Sequence, residues 1–269
     1  MGPDSPSIKS IPGLMGSVET VEYPTAERGL SKRRIVAYLP ASYHQDSLRR
    51  YPVMYLLHGA RGNEITWQER GKAFNGLDSL VTEGKAKEFI LVLPNVNNYF
   101  GDKDYKNGHA VNAVRAFWTV DGVVEKLFVE EVVALTDSVF RTIPEKEARA
   151  IAGMSSGALQ SVYISANHPD VFGYVGAFSP YYYPPISVAG NMDFYGRIWP
   201  KLRRQFAAAP PVSYDIMIGN KDFFYPHIRA IDRKFTESGF NHRFTVIPDG
   251  HLWTAWHAFF MRFSSTVFK

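Results

Sequence analysis

Apolar positions along the chain follow two periods. Residues 34–39 (Arg-Ile-Val-Ala-Tyr-Leu) alternate and stop at Pro40, as an antiparallel strand with one covered face does. Val53 to Leu57 and Phe89 to Leu93 are nearly unbroken apolar runs ending at His58-Gly59 and at Pro94, the pattern of parallel strands buried on both faces. Further short apolar strands are predicted at Ala148 to Ala152, Gly173 to Phe178, Tyr214 to Ile218 and Arg243 to Ile247. Between them lie stretches of helical spacing. Phe128 to Phe140 carries Phe128, Val132, Leu135 and Val139 on one side, Ala158 to Asn167 stops near Pro169, and Phe223 to Gly239 closes on a glycine. A last helix carries Trp256 and His257.

Strands alternating with helices predict a mostly parallel central sheet with helices on both faces, so the fold class is α/β. Two long irregular stretches, Asn95 to Gly122 and Pro180 to Pro211, are rich in Tyr, Asn, Gly and Pro. Each follows the carboxyl end of a strand, the edge at which an open α/β sheet binds ligands. No repeat or low-complexity tract interrupts the chain, and 269 residues suit one α/β domain. We expect that domain over residues 18–269, behind an N-terminal extension of residues 1–17.

The sequence holds no cysteine, which excludes disulfides, a thiol nucleophile and thiolate metal sites and leaves chemistry to Ser, His and carboxylates. Gly153-Met154-Ser155-Ser156-Gly157 matches G-x-S-x-G, a pattern that arises by chance in about one chain in ten of this length. Its setting adds weight, because a strand runs in and a helix runs out. Such a turn lifts the serine Oγ above the sheet on strained backbone, and flanking glycines let strand and helix approach. Ser155 is therefore the candidate nucleophile, with the following helix N-terminus favouring negative charge beside it.

A serine hydroxyl needs a base, and the base an orienting acid, in the chain order Ser, acid, His for this arrangement. Asp222 follows strand 214–218 in Gly219-Asn220-Lys221-Asp222, and His251 follows strand 243–247 in Pro248-Asp249-Gly250-His251. Both lie at the same sheet edge as Ser155. Of the rival acids, Asp249 is too near His251 in the chain and Asp215 lies inside a strand. Among the eight histidines, His44, His168 and His242 read as solvated and His257 as part of the last helix, while His109 and His227 stand in site-edge loops. An oxyanion needs two backbone N–H donors. Ser156 supplies one and Ala60, in the turn His58-Gly59-Ala60-Arg61-Gly62, the other, with His58 bracing that turn.

Four segments in register carry a family likeness: Leu56-Leu57-His58-Gly59 with Gly62 and Trp67, Arg149 to Ser155, Gly219-x-x-Asp222, and Gly250-His251-x-Trp253-x-x-Trp256. Over about Val18 to Phe268 the chain resembles the putative esterase family of α/β-hydrolases, which includes esterase D, feruloyl and acetylxylan esterases, enterochelin esterases and mycolyltransferases. The resemblance implies an α/β-hydrolase fold and a serine carboxylesterase without metal or cofactor. Catalytic roles then fall on Ser155, Asp222 and His251, and oxyanion roles on Ala60 and Ser156. Two positions depart from the family pattern: Ser156-Gly157-Ala158 stands where Met-Gly-Gly is frequent, and Leu252 where an acidic residue is frequent.

Within the family the chain is most similar to bacterial feruloyl esterases, through Val92-Leu93-Pro94-Asn95 and the Trp253, Trp256 pair. Aromatic residues in the site-edge loops, including Phe100, Trp118, Tyr182 and Tyr183, suit stacking on a cinnamoyl ring or a sugar face. Trp67, Tyr99, Tyr181, Phe223 and Trp253 are the candidate substrate contacts. The expected substrate is a hydroxycinnamoyl (feruloyl) ester of plant cell-wall polysaccharide. The alternatives are acetylxylan or short-acyl ester hydrolysis, acyl transfer to a sugar, and carbohydrate binding without catalysis.

Net charge of +4 comes from scattered basic residues, densest at Lys32-Arg33-Arg34 and Lys201 to Arg204. No nucleic-acid-binding motif accompanies them, so no nucleic-acid partner is expected. No apolar run is long enough to span a membrane. Met1 to Ser10 lacks the apolar stretch of a signal peptide, and the expected location is secreted or periplasmic with that peptide removed, the cytoplasm being the alternative. No oligomeric state is read from the sequence.

Overall fold

In the computed structural model, which describes residues 7–9, 11–26, 32–97, 105–106, 109–110, 122–180, 196 and 198–269, the apolar runs become the inner strands of a nine-stranded sheet. The strands are β1 (Ser7–Lys9), β2 (Ser17–Pro24), β3 (Lys32–Leu39), β4 (Val53–Leu57), β5 (Ile90–Pro94), β8 (Arg149–Met154), β9 (Tyr174–Phe178), β10 (Ser213–Gly219) and β11 (Arg243–Ile247). A separate two-stranded ribbon pairs β6 (Tyr105–Lys106) with β7 (His109–Ala110). The sheet order is β1-β2-β3-β5-β4-β8-β9-β10-β11, with β1, β2 and β3 antiparallel and every pair from β5 to β11 parallel.

Strand β4 shows why its sequence is apolar throughout. Val53, Tyr55 and Leu57 enter one buried cluster and Met54 and Leu56 the other, so alternate side chains are covered on opposite faces. The first cluster is roofed by α3 (Val123–Leu127), which continues through a π-helical turn, Phe128–Val133, into α4 (Ala134–Val139), and by α5 (Ser156–Asn167), α6 (Trp199–Ala208) and α7 (Tyr225–Glu237). The second lies under α2 (Ala73–Thr82), preceded by the short α1 (Thr66–Glu69), and under α8 (Trp253–Ser264). Each large apolar side chain so buried contributes about 1.5–3 kcal/mol. The chain thus has the α/β-hydrolase architecture that its sequence resemblance implies.

Elements that the apolar pattern leaves out have identifiable causes. In β2, Ser-Val-Glu-Thr-Val-Glu-Tyr-Pro, buried Glu19 sits beside Val18 and Val21 and blurs the period. The helix expected from Phe128 begins five residues earlier, at Val123, because its first turn buries Glu125, which accepts a hydrogen bond from Gln160 Nε2 at 2.7 Å. Residues before β2 are also tied down: the Met15 amide donates to Asp78 Oδ2 at 2.7 Å and the Gly16 amide to the Tyr38 hydroxyl at 2.9 Å.

The strand order positions the site. From β4 the chain crosses to β5 on one side, and β8 returns on the other side of β4. Connections leaving β4 and β8 therefore part above the sheet, and the crevice between strands that diverge in this way is where α/β sheets hold ligands.

Candidate active site

Between the end of β8 at Met154 and the start of α5 at Ser156, Ser155 stands alone at φ 52° and ψ −117°. A non-glycine residue held there costs about 1–3 kcal/mol. The Ser155 amide donates to the Phe178 carbonyl at 2.9 Å, which pins the turn to β9. The flanking glycines are required by contact: a β-carbon on Gly153 would lie 2.5 Å from the Gly157 backbone, and one on Gly157 would lie 2.3 Å from the His58 carbonyl oxygen. Strand, helix and the turn after β4 thus meet within backbone distance.

The turns leaving β10 and β11 interlock. Asn220 N–H donates to the Ile247 carbonyl and Lys221 N–H to the Asp249 carbonyl, each at 2.9 Å. That pairing brings Asp222 and His251, far apart in sequence, to Ser155. His251 Nε2 lies 3.0 Å from Ser155 Oγ, and His251 Nδ1 lies 2.8 Å from Asp222 Oδ2. The Asp222 carboxylate is buried, and its Oδ1 accepts the Phe224 amide at 2.9 Å. With Asp222 accepting the Nδ1 proton, Nε2 faces the serine hydroxyl as an acceptor. Phe223, Phe224 and Trp256 wall the imidazole at centroid distances of 4.7, 5.5 and 4.9 Å.

Rival groups are spent elsewhere. Asp249 accepts the Thr254 hydroxyl at 2.6 Å and the Gly250 amide at 2.7 Å, which hold its carboxyl below the usual range. Asp215 is paired with the Arg243 guanidinium at 2.7 Å. His44 meets Ser17 Oγ at 2.9 Å, His242 meets Asp232 at 2.9 Å and His257 meets the Gly71 carbonyl at 2.8 Å. Among the described residues, no group of three or more His, Cys, Asp or Glu side chains is arranged to hold a metal ion, and no helix is long and apolar enough to cross a membrane.

Ala60 lies exposed in the turn after β4, and Ser156 opens α5. No hydrogen bond from either amide to another described residue is found. Behind the turn, buried His58 places Nδ1 2.8 Å from the Gly59 carbonyl and accepts the Val96 amide on Nε2 at 3.0 Å. Burial pushes its pKa down to about 4, so the ring is neutral near pH 7, donating on one side and accepting on the other. The turn is also lashed to the loop after β5. Asn97 Nδ2 donates to the Gly62 carbonyl at 2.8 Å, Asn95 Nδ2 donates to Glu64 Oε2 at 2.9 Å, and Arg33 donates to the Asn95 and Asn97 carbonyls at 2.8 and 2.7 Å. His58 is legible in the sequence as part of this network but Glu64 and Asn97 are not, because their partners lie some thirty residues away and meet only through the pairing of β4 with β5. Ser179, which no motif marks, follows β9 at φ 48° with a buried Oγ that has no hydrogen-bond partner among the described residues.

Trp67, expected on the substrate wall, is instead buried, because its indole N–H donates to the Leu57 carbonyl at 2.9 Å and its ring packs edge-on against Trp253 at 5.3 Å. It supports the site from beneath. Trp253 is half-buried, with the Arg70 guanidinium 5.2 Å from its ring centroid. Phe223 stands beside His251 and is 63% exposed. Tyr99 and Tyr181, with Phe100, Trp118, Tyr182 and Tyr183, lie outside the described residues, as does the side chain of His109.

A serine on a strained strand-to-helix turn, linked through a histidine to a buried aspartate above a mostly parallel sheet, defines a serine hydrolase of the α/β-hydrolase class. The chain belongs to the family described as Putative esterase, whose sequence model matches residues 28–265. It is 33% identical over 173 residues to an endo-1,4-beta-xylanase/feruloyl esterase of Xylanibacter ruminicola, a match covering 63% of this chain and 22% of that protein. The chain thus spans about a fifth of the length of that relative. Among solved structures it is similar to a ferulic acid esterase (25% identity, TM-score 0.74, 94% of this chain and 98% of that one). It shares its fold with the ferulic acid esterase AmCE1/Fae1A of Anaeromyces mucronatus in complex with ferulic acid (23% identity, TM-score 0.75, 97% and 94% covered).

Proposed function

We propose that residues 18–269 form a serine carboxylesterase that hydrolyses hydroxycinnamoyl (feruloyl) esters of plant cell-wall polysaccharide through an acyl-enzyme on Ser155. The observation that carries this reading is the single imidazole of His251 bridging Ser155 Oγ at 3.0 Å and Asp222 Oδ2 at 2.8 Å. In acylation, Ser155 Oγ bonds to the ester carbon while its proton passes to His251 Nε2, and the carbonyl π pair moves onto oxygen. The Ala60 and Ser156 amides receive that oxyanion. The intermediate collapses with loss of the alcohol, which takes the proton from Nε2–H. Water then repeats the sequence on the acyl-enzyme and releases the acid. Asp222 keeps the proton on Nδ1 and stabilises the imidazolium.

The acyl group is supported by likeness: the relatives at 33% and 25% identity are an endo-1,4-beta-xylanase/feruloyl esterase and a ferulic acid esterase. A polysaccharide substrate is met outside the cytoplasm, which sets the expected place of action. The test is hydrolysis of methyl ferulate beside a chromogenic acetate ester by the wild type and Ser155→Ala. A substantial ferulate rate lost in the variant supports the reading. Acetate turnover without ferulate turnover moves the substrate to acetylated sugars, and no Ser155-dependent turnover of either overturns an esterase altogether.

A further inference from the structure

We propose that Phe223 and Leu252 form the subsite for the sugar that carries the ester oxygen, with the Phe223 ring lying against the C–H face of the sugar and Leu252 against its edge. The inference rests on the esterase reading but not on the acyl group. The leaving oxygen must take its proton from His251 Nε2, which lies 3.0 Å from Ser155 Oγ. In the proposed mechanism the carbonyl oxygen turns to the Ala60 and Ser156 amides instead. The remaining atoms of the alcohol therefore extend over the groups that flank the imidazole. Phe223 is such a group, 4.7 Å from the His251 ring centroid, and Leu252 follows His251 directly in the chain.

Both side chains are open to solvent, Phe223 at 63% and Leu252 at 57%, and Phe223 is the only aromatic among the exposed large apolar side chains of the described residues. An exposed apolar ring beside a reactive centre marks a contact surface for ligand. Sugars present an apolar C–H face that an aromatic ring covers, and their hydroxyl groups stay in water at such an open rim. The platform is rigid: a β-carbon on Gly219 would lie 2.1 Å from the Asp249 carbonyl oxygen, so the turn bearing Phe223 and the turn bearing His251 are held backbone to backbone. Phe223 also packs on Phe224 at a centroid distance of 4.3 Å, which fixes the ring from behind.

The experiment uses substrate pairs that share an acyl group and differ in alcohol: 5-O-feruloyl arabinose with methyl ferulate, and an acetylated methyl xyloside with methyl acetate. The kcat/KM ratio of sugar ester to methyl ester is measured for the wild type, Phe223→Ala, Phe223→Tyr and Leu252→Ser. The expected result is a ratio about five- to tenfold lower in Phe223→Ala, retained in Phe223→Tyr, and about threefold lower in Leu252→Ser. Leu252 is exposed, so its variant reports on the subsite even if loss of Phe223 disturbs the fold. Equal losses on both members of a pair would make Phe223 a support for His251 only and overturn the proposal, as would ratios that do not move. Turnover of the acetyl pair alone would overturn the feruloyl reading while leaving the subsite tested by its ratio.

Discussion

A β-carbon placed on Gly157 would lie 2.3 Å from the carbonyl oxygen of His58, so the helix after Ser155 and the turn bearing Ala60 touch through backbone alone. The two proposed oxyanion donors are thereby held in one rigid unit. Gly157→Ala should push the turn away and lower kcat by about 10²–10³, the cost of losing one oxyanion donor. Thermal unfolding and kcat on a chromogenic acetate check this together, and a variant with wild-type kcat would refute the assignment of Ala60.

Ser155 occupies φ 52°, a region that costs a side chain energy and glycine little. Ser155→Ala and Ser155→Gly should both lose at least about 10⁴ of the wild-type kcat. The glycine variant should nevertheless be the more stable of the two by about 1 kcal/mol, read from urea midpoints. Equal stability would mean that the turn is relaxed.

In Asp222→Asn the amide oxygen can still accept the Phe224 N–H, which Asp222 Oδ1 accepts at 2.9 Å. The amide NH₂ then faces His251 Nδ1, and the imidazole turns to the tautomer with its proton on Nε2, toward the serine. A fall in kcat of about 10⁴ near pH 7 with little change in melting temperature is expected. A fall below tenfold would remove Asp222 from the proton path.

His58 has its pKa lowered from 6.5 to about 4 by burial. Between those values the unfolded chain takes up a proton that the native ring refuses. The stabilisation is therefore present above pH 6.5 and lost as pH falls toward 4, by about 3 kcal/mol in all. His58→Gln, which keeps an acceptor for the Val96 amide but does not titrate, should show a shallower loss. Urea midpoints from pH 7.5 to 4 for both proteins give the comparison, and parallel curves would exclude His58 as the source.

The turn at Ser155 and the two turns carrying Asp222 and His251 are legible in the chain because each is a local object: an apolar strand, then a turn with glycine, then the candidate residue. Strand β4 is legible for the same reason, since burial on both faces leaves no polar position in Val53 to Leu57. What lies behind the site is not local. Trp67 reads as a substrate aromatic until the Leu57 carbonyl is found to accept its indole N–H. Asn97 and Glu64 have no motif, and their roles arise only when β5 pairs with β4 and brings residues some thirty positions apart into hydrogen-bond range. The sequence by itself determined the α/β class, the elbow and the order of Ser, Asp and His, because periodicity and turn chemistry act over a few residues. Only the tertiary structure brought the Asp222 carboxylate within hydrogen-bond distance of the imidazole, made Trp67 a buried foundation rather than a wall, and tied the turn after β4 to the loop after β5. Those outcomes depend on strand order, which sets neighbours in space that spacing along the chain does not.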